Sequence, residues 1–161
     1  MASGDDRAAA PEGLSGAGLR VVVVHARWNW EIIERLVEGV TRGLADLDVA
    51  EADIDWVSVP GSFEVPYAAK VVADSGRADA IICLGVVIRG ETTHYELVSE
   101  GAAEGILRTE LDSGVPIAFG LVTVENHQQA LARSEGPGGH NLGEESAQVA
   151  VEMARLREHW S

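Results

Sequence analysis

The sequence predicts an α/β fold, with a parallel four-stranded sheet between layers of helices. Three observations predict it. Short apolar, β-branched runs alternate with longer amphipathic runs along most of the chain. Their order is β-α-β-α-β-α-β-α-α, which demands crossover connections and therefore parallel strands. A length of 161 residues with 46% hydrophobic content suits one domain with a full core.

Each element has its own signal. Leu19–Ala26 is a continuous apolar run that includes Val21, Val22, Val23 and Val24, as a buried strand requires. Glu31–Leu47 follows with Ile32, Ile33, Leu36, Val37, Val40 and Leu44 on one helical stripe. Ile54–Val59 alternates and is β-branched, a second strand ended by Pro60-Gly61. Glu64–Ala73 reads as a helix starting near Phe63, with Pro66 in the first turn, where proline is tolerated. Ala80–Ile88 is the third strand, with Cys83 as a small core residue.

Thr93–Leu111 is a long helix, with Leu97, Ile106, Leu107 and Leu111 expected inward. Its Gly101 and Gly105 are spaced to let another backbone approach. Pro116–Val124 is the fourth strand, and Gln128–Arg133 is a short helix. Glu144–Glu158 closes the pattern, with Val149, Met153 and Leu156 expected inward. Residues 1–18, rich in Ala, Gly, Asp and Ser, are expected as a flexible N-terminal arm, and residues 19–161 as a single domain.

Composition excludes several functions. The formal net charge is −14, so binding of nucleic acid through a basic surface is not expected. No apolar run approaches the ~20 residues of a membrane span, and no signal peptide is evident, so the expected compartment is cytoplasmic. One cysteine rules out an intrachain disulfide. There is no Cys/His metal pattern, Walker loop or G-x-G-x-x-G, and the expectation is neither metal nor cofactor. His25, His127, His140 and His159 show no ligand spacing and read as structural or exposed.

Parallel sheets bind ligands at the carboxyl ends of their strands. The loops there hold the unusual residues of this chain. The run from Gly85 to Tyr95, through Gly90, Glu91, Thr92, Thr93 and His94, passes from a buried strand through a glycine turn to a helix start. Helix N–H groups and threonine hydroxyls attract an anion such as phosphate. An adjacent histidine carries protons near neutral pH. A plainer reading stands beside this one, with Thr92 as a helix cap and His94 as a surface residue. Trp28 and Asn29 follow the first strand, where an indole offers a flat face and an amide reads a polar ring edge, or where both simply pack and cap. Pro60 to Glu64 puts backbone N–H groups and a carboxylate at a helix start. Arg133, taken alone, is a solvated arginine.

Together these segments resemble the lumazine synthase family. The carriers are Arg27-Trp28-Asn29, the run Pro60 to Pro66, the run Leu84 to Val98, Pro116 to Asn126, and Gln129 to Arg133, in order over about Leu19 to Leu156. The resemblance implies a three-layer αβα sandwich of flavodoxin-like type. It implies condensation of 5-amino-6-(D-ribitylamino)uracil with 3,4-dihydroxy-2-butanone 4-phosphate, with loss of phosphate and water and without a cofactor. Trp28 would stack on the pyrimidine with Asn29 beside it. Ser62, Phe63 and Glu64 would hold the ribityl chain, and Val86, Val87 and Ile88 would line the pyrimidine edge. Gly90, Glu91 and Thr92 would hold the phosphate, and His94 would move protons. Phe119 and Arg133 would come from a neighbouring subunit of a homo-oligomer built on pentamers.

One departure stands out. The family commonly has a lysine between the asparagine and glycine before the last helix; here Leu142 takes its place. That change keeps open an alternative, a non-catalytic relative that binds lumazine or flavin or serves as a shell. The preceding loop is also about one residue longer than in shell-forming members. A swing of the final helix there, with −14 per chain, predicts free pentamers rather than a sixty-subunit shell.

Overall fold

A computed structural model describes residues 9–161. Its sheet has the order β2-β1-β3-β4, with every neighbouring pair parallel. The strands are β1 (Val21–Ala26), β2 (Ile54–Val59), β3 (Ala80–Ile88) and β4 (Ile117–Val124). The helices are α1 (Trp30–Asp46), α2 (Val65–Asp74), α3 (His94–Ser113), α4 (His127–Ala132) and α5 (Leu142–His159). The expected three-layer α/β sandwich is therefore present.

The inner strands β1 and β3 are almost wholly buried, because helices cover both of their faces. β2 is an edge strand, with each of its residues exposed or half-buried. The crossovers from β1 to β2 and from β2 to β3 run in opposite directions across the sheet, so right-handed connections put α1 and α2 on opposite faces. α1 packs on α5, and α2 packs on α3. Ile32, Ile33, Leu36, Val40 and Leu44 of α1 are buried, as their stripe predicts.

Two expectations about helix faces are corrected. Leu97, Leu107 and Leu111 are exposed; Ile106 is buried as expected, and Ala102 and Thr109 accompany it inward. Val149, Met153 and Leu156 are also exposed, and α5 buries Ala147, Ala150, Val151 and Ala154. The reason is size. Each helix carries two apolar stripes, and the stripe of small residues lets the helix lie close to its neighbours. A Cβ added to Gly143 would stand 2.1 Å from the Leu36 carbonyl oxygen, which measures how near α5 comes to α1. Gly101 and Gly105 also admit a neighbour, though not a backbone: the Phe63 ring and Pro66 fill their space.

Of the segment 1–18 read as an arm, residues 1–8 lie outside the described residues. Farther along, the Gly16 N–H donates to the Leu47 carbonyl at 2.5 Å, and Arg155 donates to the Ser15 and Ala17 carbonyls at 2.8 and 2.7 Å. Among the described residues no helix is long and apolar enough to cross a membrane.

Gly143→Ala is expected to cost roughly 1–3 kcal/mol, since the added methyl meets backbone that cannot turn aside. Denaturant unfolding at constant m-value is the measurement. An unshifted midpoint would show that α1 and α5 part freely.

Candidate active site

β1 leads to β2 on one side of the sheet, whereas β3 leads to β4 on the other. The connections after β1 and β3 therefore diverge and leave a crevice at their carboxyl ends. A cleft of about 490 Å³ opens there. Trp28 and Asn29 line it from β1, Ser62, Phe63 and Glu64 from the turn after β2, and Val86, Val87 and Ile88 from the end of β3. His94, Leu97 and Val98 complete it from α3.

Asn29 stands at the cap position of α1 with left-handed backbone, φ 65° and ψ 44°, which asparagine tolerates better than most residues. Its side chain makes no cap bond. Instead Nδ2 donates to the Val86 carbonyl at 3.3 Å and joins the ends of β1 and β3. The Trp28 ring next to it is 65% exposed, its backbone held by an N–H bond to the Pro60 carbonyl at 3.0 Å.

Residues Ser62–Glu64 form a single 3₁₀ turn that leads into α2. Glu64 Oε1 accepts the Gly61 N–H at 2.9 Å, so the carboxylate is oriented by its own turn. Phe63 is 59% exposed, with one ring edge on Gly101 of α3. Ser62 is only 5% exposed, yet its hydroxyl has no hydrogen-bond partner. It lies against Gly85, where any Cβ would collide with it. A buried hydroxyl left unpaired in a cleft costs free energy until something bonds to it.

His94 is the first residue of α3 and is exposed. Thr93, not Thr92, stands at the cap position, and no side chain caps the helix. Thr92 Oγ1 accepts the His94 N–H at 3.3 Å. Gly90, Glu91 and Thr92 form the exposed loop beside the cleft and are not part of its lining.

Phe119 and Arg133 do not line the cleft of their own chain. Phe119 pairs with Cys83 in the β3–β4 ladder, three residues before Val86 and thus about 10 Å down the strand. Arg133 follows α4, and its Nη1 donates to the Gln129 carbonyl at 2.9 Å. Leu142 is partly buried against the core, and its N–H donates to the Arg133 carbonyl at 2.9 Å. Between them the chain forms a closed hairpin. Ser134 bridges Asn141, and Asn141 Nδ2 donates to the Arg35 and Glu135 carbonyls at 3.1 and 2.9 Å.

Sequence reading missed three residues here. Leu97, 68% exposed, and Val98 lie one turn beyond His94 on the face that lines the cleft. Arg89 is the third. Its Nε lies 3.0 Å from Glu125 Oε2, it also pairs with Glu96, and its guanidinium sits 4.4 Å over the Tyr95 ring. The hydrogen bond from Arg89, helped by the residue's own backbone N–H, holds the Glu96 carboxyl below the usual carboxylate range.

Among the described residues lining the cleft, none is lysine or arginine. Among the described residues, no group of three His, Cys, Asp or Glu side chains could hold a metal ion. What the cleft offers is two exposed aromatic faces, an unpaired hydroxyl, an oriented carboxylate and one imidazole. That set suits an organic ring with a hydroxylated chain and a reaction that moves protons.

Comparison with known proteins agrees. The family model for 6,7-dimethyl-8-ribityllumazine synthase matches residues 18–158. The chain is 45% identical over 144 residues to the 6,7-dimethyl-8-ribityllumazine synthase of Schizosaccharomyces pombe, covering 89% of this chain and 91% of that protein. It is also 45% identical over 146 residues to the chloroplastic enzyme of that name from Arabidopsis thaliana, covering 91% of this chain. It spans 64% of that plant relative's length. The chain belongs to the lumazine synthase family, transferases of riboflavin biosynthesis.

Gly101→Ala would place a methyl 2.8 Å from Phe63 Cε2, and the ring must then shift. The expected result is a rise of about 3- to 10-fold in KM for a ring-and-chain substrate, with kcat changed less. Equal KM values for variant and parent would show that the seat of Phe63 does not matter to binding.

Proposed function

We propose that this cleft condenses 5-amino-6-(D-ribitylamino)uracil with 3,4-dihydroxy-2-butanone 4-phosphate to 6,7-dimethyl-8-ribityllumazine, without a cofactor. The convergence of Trp28 and Asn29, Ser62 to Glu64, Val86 to Ile88 and His94 on one cleft supports it. The pyrimidine lies on the Trp28 face with its edge on the backbone of Val86, Val87 and Ile88. The ribityl hydroxyls take the free Ser62 hydroxyl and the Glu64 carboxylate, with Phe63 alongside. Gly90, Glu91 and Thr92 take the phosphate on backbone N–H groups at the start of α3.

The chemistry needs protons moved and two substrates held together. Attack of the amine on the carbonyl requires a proton taken from nitrogen and one given to oxygen. Elimination of phosphate requires another from carbon. His94 serves these transfers. Holding both substrates in register supplies up to ~7–11 kcal/mol in well-oriented cases.

The phosphate still lacks a cation. Arg133 from a neighbouring subunit supplies it, and Phe119 of that subunit closes over the ribityl chain. Support comes from the exposed apolar side chains Leu111, Met153, Leu156 and Trp160, which line one shallow surface hollow. A cyclic head-to-tail ring satisfies both needs, and a homopentamer in the cytoplasm is the unit proposed. Leu142, in place of the family's lysine, favours one other reading, a relative that binds lumazine without making it. Supplying both substrates and following lumazine absorbance and fluorescence separates the two, because only the enzyme makes product.

His94→Ala is expected to lower kcat by roughly 10²- to 10⁴-fold. Full turnover at saturating substrates would take His94 out of the mechanism. Arg133→Ala is expected to raise KM for the butanone phosphate far more than for the pyrimidine. Mixed and reassembled oligomers of Arg133→Ala and His94→Ala subunits should regain activity, because some sites then hold both native residues. No recovery in verified mixed oligomers would mean that each site lies within one chain.

A further inference from the structure

We propose that Arg89 is a positioning residue that holds the first turn of α3 so that His94 keeps its place at the cleft. The proposal rests on the reading of His94 as the proton carrier. Arg89 lies behind the cleft and does not line it. Its backbone N–H donates to the Val124 carbonyl at 2.8 Å and extends the β3–β4 ladder by one step, so the residue starts from a fixed point.

From there the guanidinium reaches three groups on two segments. It bonds Glu96 in the first turn of α3, meets Glu125 Oε2 at 3.0 Å in the loop after β4, and stacks on Tyr95. Tyr95 and Glu96 directly follow His94. The turn is thus gripped by its second and third residues, which leaves the first to face the cleft. No side chain caps this helix, so the grip replaces a cap.

Glu96 ties the grip to the first turn of α3. Its Oε2 is buried and without a partner, so the hydrogen bond from Arg89 to Oε1 is the side-chain bond that compensates the carboxylate. Without the arginine, the half-exposed carboxylate turns to water and the first turn loses its tie to the end of β3. A small displacement of the first turn moves His94, and misplacement by about 1 Å costs on the order of 10²-fold in rate. Glu125 matters less, since it is exposed and only steadies the far side of the guanidinium.

The test uses the full chain and lumazine formation at saturating substrates, with Arg89→Met, Arg89→Lys and Glu125→Gln, and Arg89→Met and Glu125→Gln also combined with His94→Ala. Arg89→Met is expected to lower kcat about 10- to 100-fold, with both KM values within about threefold of the parent. Arg89→Lys should recover part of the loss, because one charge can still reach Glu96. Glu125→Gln should fall between parent and Arg89→Met. In the His94→Ala background neither change should slow the enzyme further, because the effect runs through His94. Should Arg89→Met not fold, the Glu125→Gln pair gives the same comparison. An unchanged kcat in Arg89→Met, or equal slowing with and without His94, overturns the positioning role. Full turnover in His94→Ala alone is a different result, and it brings down the reading of His94 together with the role of Arg89.

Discussion

β1 hydrogen-bonds to β2 along one edge and to β3 along the other, and the rest of the molecule is arranged around that placement. With β2 beyond β1 on one side and β4 beyond β3 on the other, the chain leaves β1 in one direction and leaves β3 in the opposite one. The crevice between the two exits cannot be filled by either connection. Asn29 spans it with a single bond to the Val86 carbonyl, and its left-handed backbone turns the chain into α1 within one residue. Three loops then meet where the strands end. Ser62 reaches this place because Gly85 has no side chain to exclude it, and Phe63 because Gly101 has none. The cleft is a property of strand order first and of side chains second.

The inner strands were legible in the sequence because burial on both faces leaves a plain mark, a run of Val, Ile and Leu ended by polar or glycine residues, and the edge strand β2 from its β-branched alternation. The cleft was legible for the same reason, since strand ends locate it and its loops carry distinctive residues such as Trp28, Phe63 and His94. Helix faces were harder. Periodicity weighted by size favours Leu97, Leu107, Leu111, Met153 and Leu156, whereas closeness of packing favours the alanines of α3 and α5. Arg89 was illegible because its partners, Glu96 and Glu125, meet only through the fold. So was the setting of Leu142, whose contact with the core depends on how α5 seats against α1.

Charge is distributed with some economy. The chain carries 12 basic residues against 26 acidic ones. Several arginines tie one segment of the chain to another at the surface. Arg20 binds Asp79, Arg35 donates to the Ser134 carbonyl, Arg155 holds residues 15 and 17, and Arg89 spans Glu96 and Glu125. Burial raises the Asp79 carboxyl, yet the bonds from Arg20 outweigh it and leave the group below its ordinary value. Exposed pairs of this kind contribute little stability each. Their larger effect is to fix segments that regular hydrogen bonding does not reach.

The closed hairpin between α4 and α5 alters what its length means. Its neck is bound at Ser134 and Asn141, by the Leu142 N–H on the Arg133 carbonyl, and by Asn141 on the backbone of α1. Its tip is Gly136-Pro137-Gly138-Gly139, with Gly138 in the left-handed region at φ 86°. The tip is held only by local bonds, from the Gly139 N–H to the Gly136 carbonyl at 3.0 Å and from the His140 N–H to the Glu135 carboxylate at 3.1 Å. The start of α5 is therefore tied to α1 and to Arg133 at the neck, apart from the tip. Arg133 gains from the same arrangement. Anchored at the mouth, its backbone is held by the Leu142 N–H, and the freedom left to the residue lies in its side chain.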